Sequence, residues 1–222
     1  MFIIHNYKDI IKNIPDEVIL VAVSKTKPVA DIMEAYSAGH RDFGENKVQE
    51  MVNKYEALPK DIRWHMIGHL QRNKVKYMAH FVNLIHGVDK MSTLIEINKQ
   101  AKKQDRVIDC LLQARIAEEE TKFGLEFSEI EKILFSSELQ VLENVRVTGL
   151  MGMATFTDDQ EQIASEFASL GEFYETMRSK GCKLEVLSMG MSGDYKIALL
   201  HGSNMIRVGS AIFGERNYIA GQ

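Results

Sequence analysis

The chain has 222 residues, with 27 Lys and Arg against 31 Asp and Glu and a net charge of −4. Its 45% apolar and 26% charged residues describe an ordinary globular protein, long enough to bury a core without disulfide or metal staples. The mild acidity excludes a globally basic nucleic-acid binder, and no run approaches the ~18 apolar residues of a membrane span.

The N-terminal FIIHNYKDIIKNIP has helical spacing. It lacks the apolar centre and small-residue cleavage site of a signal peptide. Short β-branched or apolar runs then alternate with amphipathic stretches. The runs are Val18 to Ser24, Asp42 to Asn46, Arg63 to Gly68, Leu84 to Asp89, Asp109 to Ile116, Arg146 to Ala154, Leu184 to Met189 and Met205 to Phe213. Several are continuously apolar, as expected of parallel strands covered on both faces.

Helices are predicted over Pro28 to Ala38, Lys47 to Leu58, Asn73 to Phe81, Ser92 to Lys103, Ser128 to Ser136, Asp159 to Ser179 and Asp194 to Leu200. Pro28 suits a first helical position, and Ser128 with Glu131 has the spacing of a capping box. Eight β-α units in this length predict an α/β protein, a single (β/α)8 TIM-type barrel with an extra N-terminal helix on its bottom or flank. An open doubly wound sheet is the alternative. With only three prolines and no Ser/Gly/Pro-rich linker, residues 1–222 read as one domain. Cys110 and Cys182 lie far apart without a CxxC, so they read as reduced thiols of a cytoplasmic protein.

In such a barrel the chemistry sits at the carboxyl ends of the strands. Lys25 directly follows the first run, where partial burial would lower an amine pKa and favour Schiff-base chemistry. A solvated or anion-binding charge is the other reading. Lys27 reads as a solvated or phosphate-steering charge. SMGMSG, with Gly190, Ser192 and Gly193, precedes a short helix that Ser192 could cap. With Gly209 and Ser210 it marks the usual phosphate loops of this fold, or ordinary capped βα loops.

Arg207, inside an apolar strand, needs a partner: either a protein carboxylate or a ligand acceptor. Asn46 could contact a ligand or cap the next helix. Thr155 and Thr157 mark the sixth tip. His65, His69, His86 and His201 show no HxxxH or HxH spacing, so no metal is indicated. Lys122 sits in a charged loop, and Trp64 and the methionines read as core.

These motifs resemble a known family. VAVSKTKP (Val21 to Pro28), FGENKVQE (Phe43 to Glu50), WHMIGHLQRNK (Trp64 to Lys74), EEETKFG (Glu118 to Gly124), GLMGMA (Gly149 to Ala154), LSMGMSGDY (Leu187 to Tyr195) and IRVGSAIFGER (Ile206 to Arg216) are similar, in order, to those of the pyridoxal phosphate homeostasis proteins. The resemblance implies a barrel like the N-terminal domain of alanine racemase, with pyridoxal 5′-phosphate (PLP) held as an internal aldimine on Lys25. It places the phosphate on Ser188, Ser192, Gly209 and Ser210, the pyridine nitrogen opposite Arg207, and Asn46 in the pocket wall.

Arginine cannot supply a proton to the ring nitrogen, which weakens the cofactor as an electron sink. Similar racemases compensate with an acid/base group from a partner subunit in a two-domain dimer, whereas this chain ends at Gln222, soon after strand eight. The expectation is therefore a monomeric, non-catalytic PLP carrier in vitamin B6 homeostasis, in transient contact with apo PLP enzymes and with neither nucleic acid nor membrane. The rival functions are a PLP-dependent racemase or lyase of small amino acids, and a cofactor-free aldolase whose Lys25 binds a sugar-phosphate carbonyl.

Overall fold

The computed structural model describes residues 2–118 and 123–215. Eight parallel strands close in sequence order into a barrel, so the open-sheet alternative is excluded. They are β1 (Ile19–Val23), β2 (Asp42–Glu45), β3 (Arg63–Met66), β4 (Leu84–Val88), β5 (Ile108–Gln113), β6 (Val145–Met151), β7 (Val186–Ser188) and β8 (Met205–Val208). The helices are α1 (Phe2–Lys12), α2 (Val29–Ser37), α3 (Val48–Ala57), α4 (Val75–Met78), α5 (Met91–Lys102), α6 (Phe127–Leu134), α7 (Ser137–Gln140), α8 (Gln160–Ser179), α9 (Tyr195–Leu200) and α10 (Ser210–Phe213). A 3-10 turn, Arg72–Lys74, leads into α4.

Alternation sorts each strand into two faces. Ala22, Phe43, Trp64, Ile85, Cys110, Leu150, Leu187 and Ile206 point outward and join the helices in the main core. Val21, Leu84, Leu111, Met151 and Met205 point inward and form a separate cluster inside the barrel. Trp64 and most methionines are core, as expected. Gly149 lets β6 meet β7: a Cβ there would lie 1.9 Å from the Val186 carbonyl oxygen. Among the described residues no helix is long and apolar enough to cross a membrane.

Four details differ from the sequence reading, and a fifth narrows it. The eighth run breaks after Val208: Gly209 leaves the extended region (φ −117°, ψ −76°), and Ser210–Phe213 turn into α10. The capping box of α6 is formed by Glu126 and Glu129 rather than Ser128 and Glu131, because the helix begins at Phe127. Pro28 is the N-cap of α2 and not its first residue. α7 was not foreseen; the Ser136 hydroxyl caps it through the Leu139 N–H at 3.1 Å. Finally, α1 packs on the flank against α2 and α10, and the Asn6 amide donates to the Ile212 carbonyl at 3.1 Å.

Candidate functional site at the barrel mouth

β1 and β8 pair with Val21 beside Arg207, so Arg207 shares the inward face of Val21. Pairing with β2 continues one step beyond β1, through the Ser24 N–H to the Gly44 carbonyl at 3.0 Å. There the Ser24 hydroxyl faces outward and donates to Glu45 Oε1 at 2.6 Å. The next residue, Lys25, begins a turn at the carboxyl end of the barrel, closed by the Lys27 N–H to the Ser24 carbonyl at 3.0 Å, and is half-buried. Lys25 thus stands at the mouth, two residues beyond β1, the strand that pairs with the Arg207-bearing β8.

The segment carrying Lys25 is fastened on both sides. Thr26 adopts φ +66°, an uncommon conformation for a β-branched residue, and its N–H donates to Glu50 Oε1 at 2.6 Å. Lys54 on α3 donates to the Ser24 carbonyl at 2.8 Å, Glu45 Oε1 at 2.8 Å and Glu50 Oε1 at 2.7 Å. Glu45 is wholly buried and its Oε2 has no partner. Burial pushes its pKa up to about 7, aided by the like charge of Glu50 and opposed by Lys54 and Ser24. One ammonium thus serves two carboxylates, which is why the Lys54 contact does not hold Glu45 fully ionised.

Lys27 is neither solvated nor steering: its Nζ donates to the carbonyls of Phe213 (2.9 Å), Gly214 (3.1 Å) and Glu215 (3.1 Å) at the end of α10. This ties the Lys25 segment to the element whose other end carries Gly209 and Ser210. At that end Ser192 Oγ accepts from the N–H groups of Gly209 (3.1 Å) and Ala211 (3.4 Å). Ser192 therefore does not cap α9, whose N-cap is Asp194. Ser210 is exposed and Gly209 half-buried. A Cβ on Gly209 would press on Val23 Cβ and O at 3.3 Å.

Arg207 is buried and has no carboxylate partner among the described residues. Its Nη1 donates to the Ser188 carbonyl (2.8 Å) and Oγ (2.6 Å), and its Nη2 to the Gly152 carbonyl (2.9 Å). A guanidinium has five N–H donors. The Nε–H and one Nη2–H have no protein acceptor among the described residues. Burial lowers its pKa to about 10, against the opposing charge of Asp194, so it stays a cation near neutrality. Ser188 is wholly buried, and its hydroxyl lies between Arg207 and His86, 3.2 Å from His86 Nδ1. That places it behind Arg207 rather than beside Ser192.

Asn46 is half-buried at the tip of β2. It does not cap α3, whose N-cap is Lys47. Gly68 lies against it, where a Cβ would fall 2.4 Å from the Asn46 carbonyl. Thr155 is committed to Glu166 and Thr157 to the Asp159 N–H. His69 stacks on Phe123, and His201 is the C-cap of α9. Lys122 lies outside the described residues.

Glu45, Glu50 and Lys54 were missed by sequence reasoning. Their signal was the Glu50/Lys54 spacing of four residues on one helix, next to an acid, Glu45, on the outward face of β2 that Phe43 shares.

Residues 2–217 match the alanine racemase N-terminal domain family. The chain belongs to that family. A relative from Aquifex aeolicus, named pyridoxal phosphate homeostasis protein, is 42% identical over 90% of this chain and 87% of its own. The structure of PipY from Synechococcus elongatus without PLP superposes with a TM-score of 0.90 at 33% identity, covering 96% of this chain and all of PipY. The PLP-bound form of PipY gives 0.87 over the same shares. An alanine racemase from Clostridium difficile shares the fold at 14% identity (TM-score 0.79), covering 98% of this chain and 58% of that one.

Proposed function

We propose that the protein binds PLP at the barrel mouth and serves in the intracellular homeostasis of this cofactor, holding it covalently and buffering or delivering it. The observation that carries this reading is Lys25 at the tip of β1, beside β8, the strand that carries Arg207. The donor set fits the group. The unused N–H donors of a buried cation suit a pyridine nitrogen. Ser192, whose Oγ gathers the amides of Gly209 and Ala211, and the Ser210 hydroxyl mark the loops that suit a phosphate. Gly209 lacks the Cβ that would press on Val23, which lets β8 turn into α10 beside β1. Asn46 stands at the tip of β2, on the far side of β1 from β8, and Ser188 backs Arg207.

Bound PLP supplies an aldehyde, which condenses with Lys25 Nζ to an imine and releases water. Lys25 is the covalent anchor, oriented by the Ser24 and Thr26 tethers. Arg207 holds its own proton at neutral pH and donates a hydrogen bond without transferring it. That leaves the ring a poor electron sink and favours a carrier over a catalyst. We place this carrier in the cytoplasm, as a monomer that hands PLP to apo-enzymes.

The test is PLP absorbance together with α-proton exchange of small amino acids in heavy water. The carrier reading expects a yellow protein, no exchange above the free-PLP rate, and retained phosphate affinity in Lys25→Ala. Steady exchange that vanishes in Lys25→Ala would instead mark a racemase or lyase. A colourless protein that ignores added PLP would sink both.

A further inference from the structure

Inside the barrel a file of polar side chains leads away from the proposed site. Asp42, His65, His86, Ser188 and Arg207 stand on β2, β3, β4, β7 and β8, all with inward parity. All are buried. Arg207 Nη1 lies 2.6 Å from Ser188 Oγ, and Ser188 Oγ lies 3.2 Å from His86 Nδ1. His86 Nε2 lies 3.0 Å from His65 Nδ1, and His65 Nε2 lies 3.1 Å from Asp42 Oδ1. Below, Arg63 Nε and Nη2 clasp Asp42 Oδ1 (2.7 Å) and Oδ2 (2.5 Å).

The two ends fix the direction of every bond between them. A guanidinium only donates, so Ser188 Oγ accepts from Arg207; with both rings neutral, the carboxylate that only accepts at the far end leaves the Ser188 proton to go to His86 Nδ1. His86 then carries its proton on Nε2 and gives that bond to His65 Nδ1. His65 in turn carries its proton on Nε2 and donates to the Asp42 carboxylate, which only accepts. Both rings are neutral in this pattern and each polar group from Asp42 to Ser188 is paired, the condition under which a buried network stabilises one geometry. Burial, with His65 and Arg207 nearby, holds the His86 pKa well below the ordinary value. Arg63 already supplies the counter-charge of Asp42, so His65 need not be an imidazolium.

Resting on the PLP reading above, we infer that Asp42, His65, His86 and Ser188 form a one-way hydrogen-bond relay that holds Arg207 as a donor for the pyridine nitrogen, making His65 and His86 positioning residues of the site. The Ser188 proton is committed to His86, so the hydroxyl offers Arg207 lone pairs and has no proton for the ring. The ring-nitrogen end of the pocket thereby contains donors but no acid.

The test is a two-bond 15N–1H correlation spectrum of 15N-histidine-labelled protein at pH 8, with and without PLP, assigned through single histidine variants. Both rings are expected as neutral Nε2–H tautomers in either state. In parallel, His86→Leu cuts the relay at its centre, while Arg146→Gln breaks an exposed ion pair with Asp109 and leaves the relay intact. Losing the neutral hydrogen bond that orients Ser188 predicts about fivefold weaker PLP binding and a shifted cofactor absorbance in His86→Leu, with neither change in Arg146→Gln. An Nδ1–H tautomer of either ring, an imidazolium at His65, or wild-type affinity and spectrum in His86→Leu overturns the relay. If His86→Leu does not fold, the wild-type tautomers decide. Absence of PLP binding in the wild type would defeat the functional reading alone, since the tautomers are also measured without PLP.

Discussion

Replacing Lys54 by Met tests the fastening of the Lys25 segment. The substitution removes the bonds to Ser24, Glu45 and Glu50 and leaves Glu45 wholly buried. Stripping one partner from a buried ion pair costs about 3–5 kcal/mol when the other charge must persist. Here it need not persist, because Glu45 already titrates at about 7 and without Lys54 it remains protonated. At and below pH 7 the loss then reduces to the hydrogen bonds, about 2 kcal/mol net of the gain from burying methionine.

Above pH 7 the two proteins diverge. The folded wild type loses the Glu45 proton, as the unfolded chain already has above its ordinary value of 4.5, so wild-type stability no longer depends on this group. The folded variant keeps the proton that its unfolded chain lacks, so its stability falls further as pH rises, by up to ~1.4 kcal/mol per unit. Urea unfolding at pH 6, 7, 8 and 8.5 should show a nearly constant difference up to pH 7 that then widens. A difference independent of pH, or below about 0.5 kcal/mol throughout, would refute the reasoning.

His40 donates its Nε2–H to the Asp42 carbonyl at 2.7 Å, and burial lowers its pKa from 6.5 to about 4. The unfolded chain takes up this proton first, so stability is complete above about pH 6.5 and is lost as pH falls toward 4, by about 3 kcal/mol; His40→Phe should flatten an acid titration of stability over that window, and an unchanged slope would contradict it. Gly149→Ala drives a Cβ against the Val186 carbonyl at a β6–β7 pairing and should cost more than about 3 kcal/mol, seen as lost soluble expression or a large drop in urea midpoint; wild-type stability would show that the strands can part there.

Much of this architecture was legible because parallel strands buried on both faces write themselves as short apolar runs between helices. All eight runs overlap an observed strand. What escaped was local. Ser192 stands at a helix-capping position in sequence, but the fold brings it 3.1 Å from the Gly209 N–H, 17 residues on. Lys27 looked exposed because nothing near it in sequence shows that α10 ends beside it.

Arg207 was recognised as needing a partner, yet its acceptors are two carbonyls and a hydroxyl, and a carbonyl acceptor leaves no mark in side-chain identity. The histidines were judged by spacing along the chain, the right measure for ligands on one helix. His65 and His86 instead meet across neighbouring strands, where inward parity is the relevant signal.

The central claim is a covalent bond between PLP and Lys25. Borohydride reduction of the PLP-loaded protein, followed by proteolysis and mass spectrometry, tests it most directly. The account predicts a single phosphopyridoxyl group on the peptide containing Lys25 and none in Lys25→Ala. Labelling of another residue, or an unmodified chain after reduction, would contradict it.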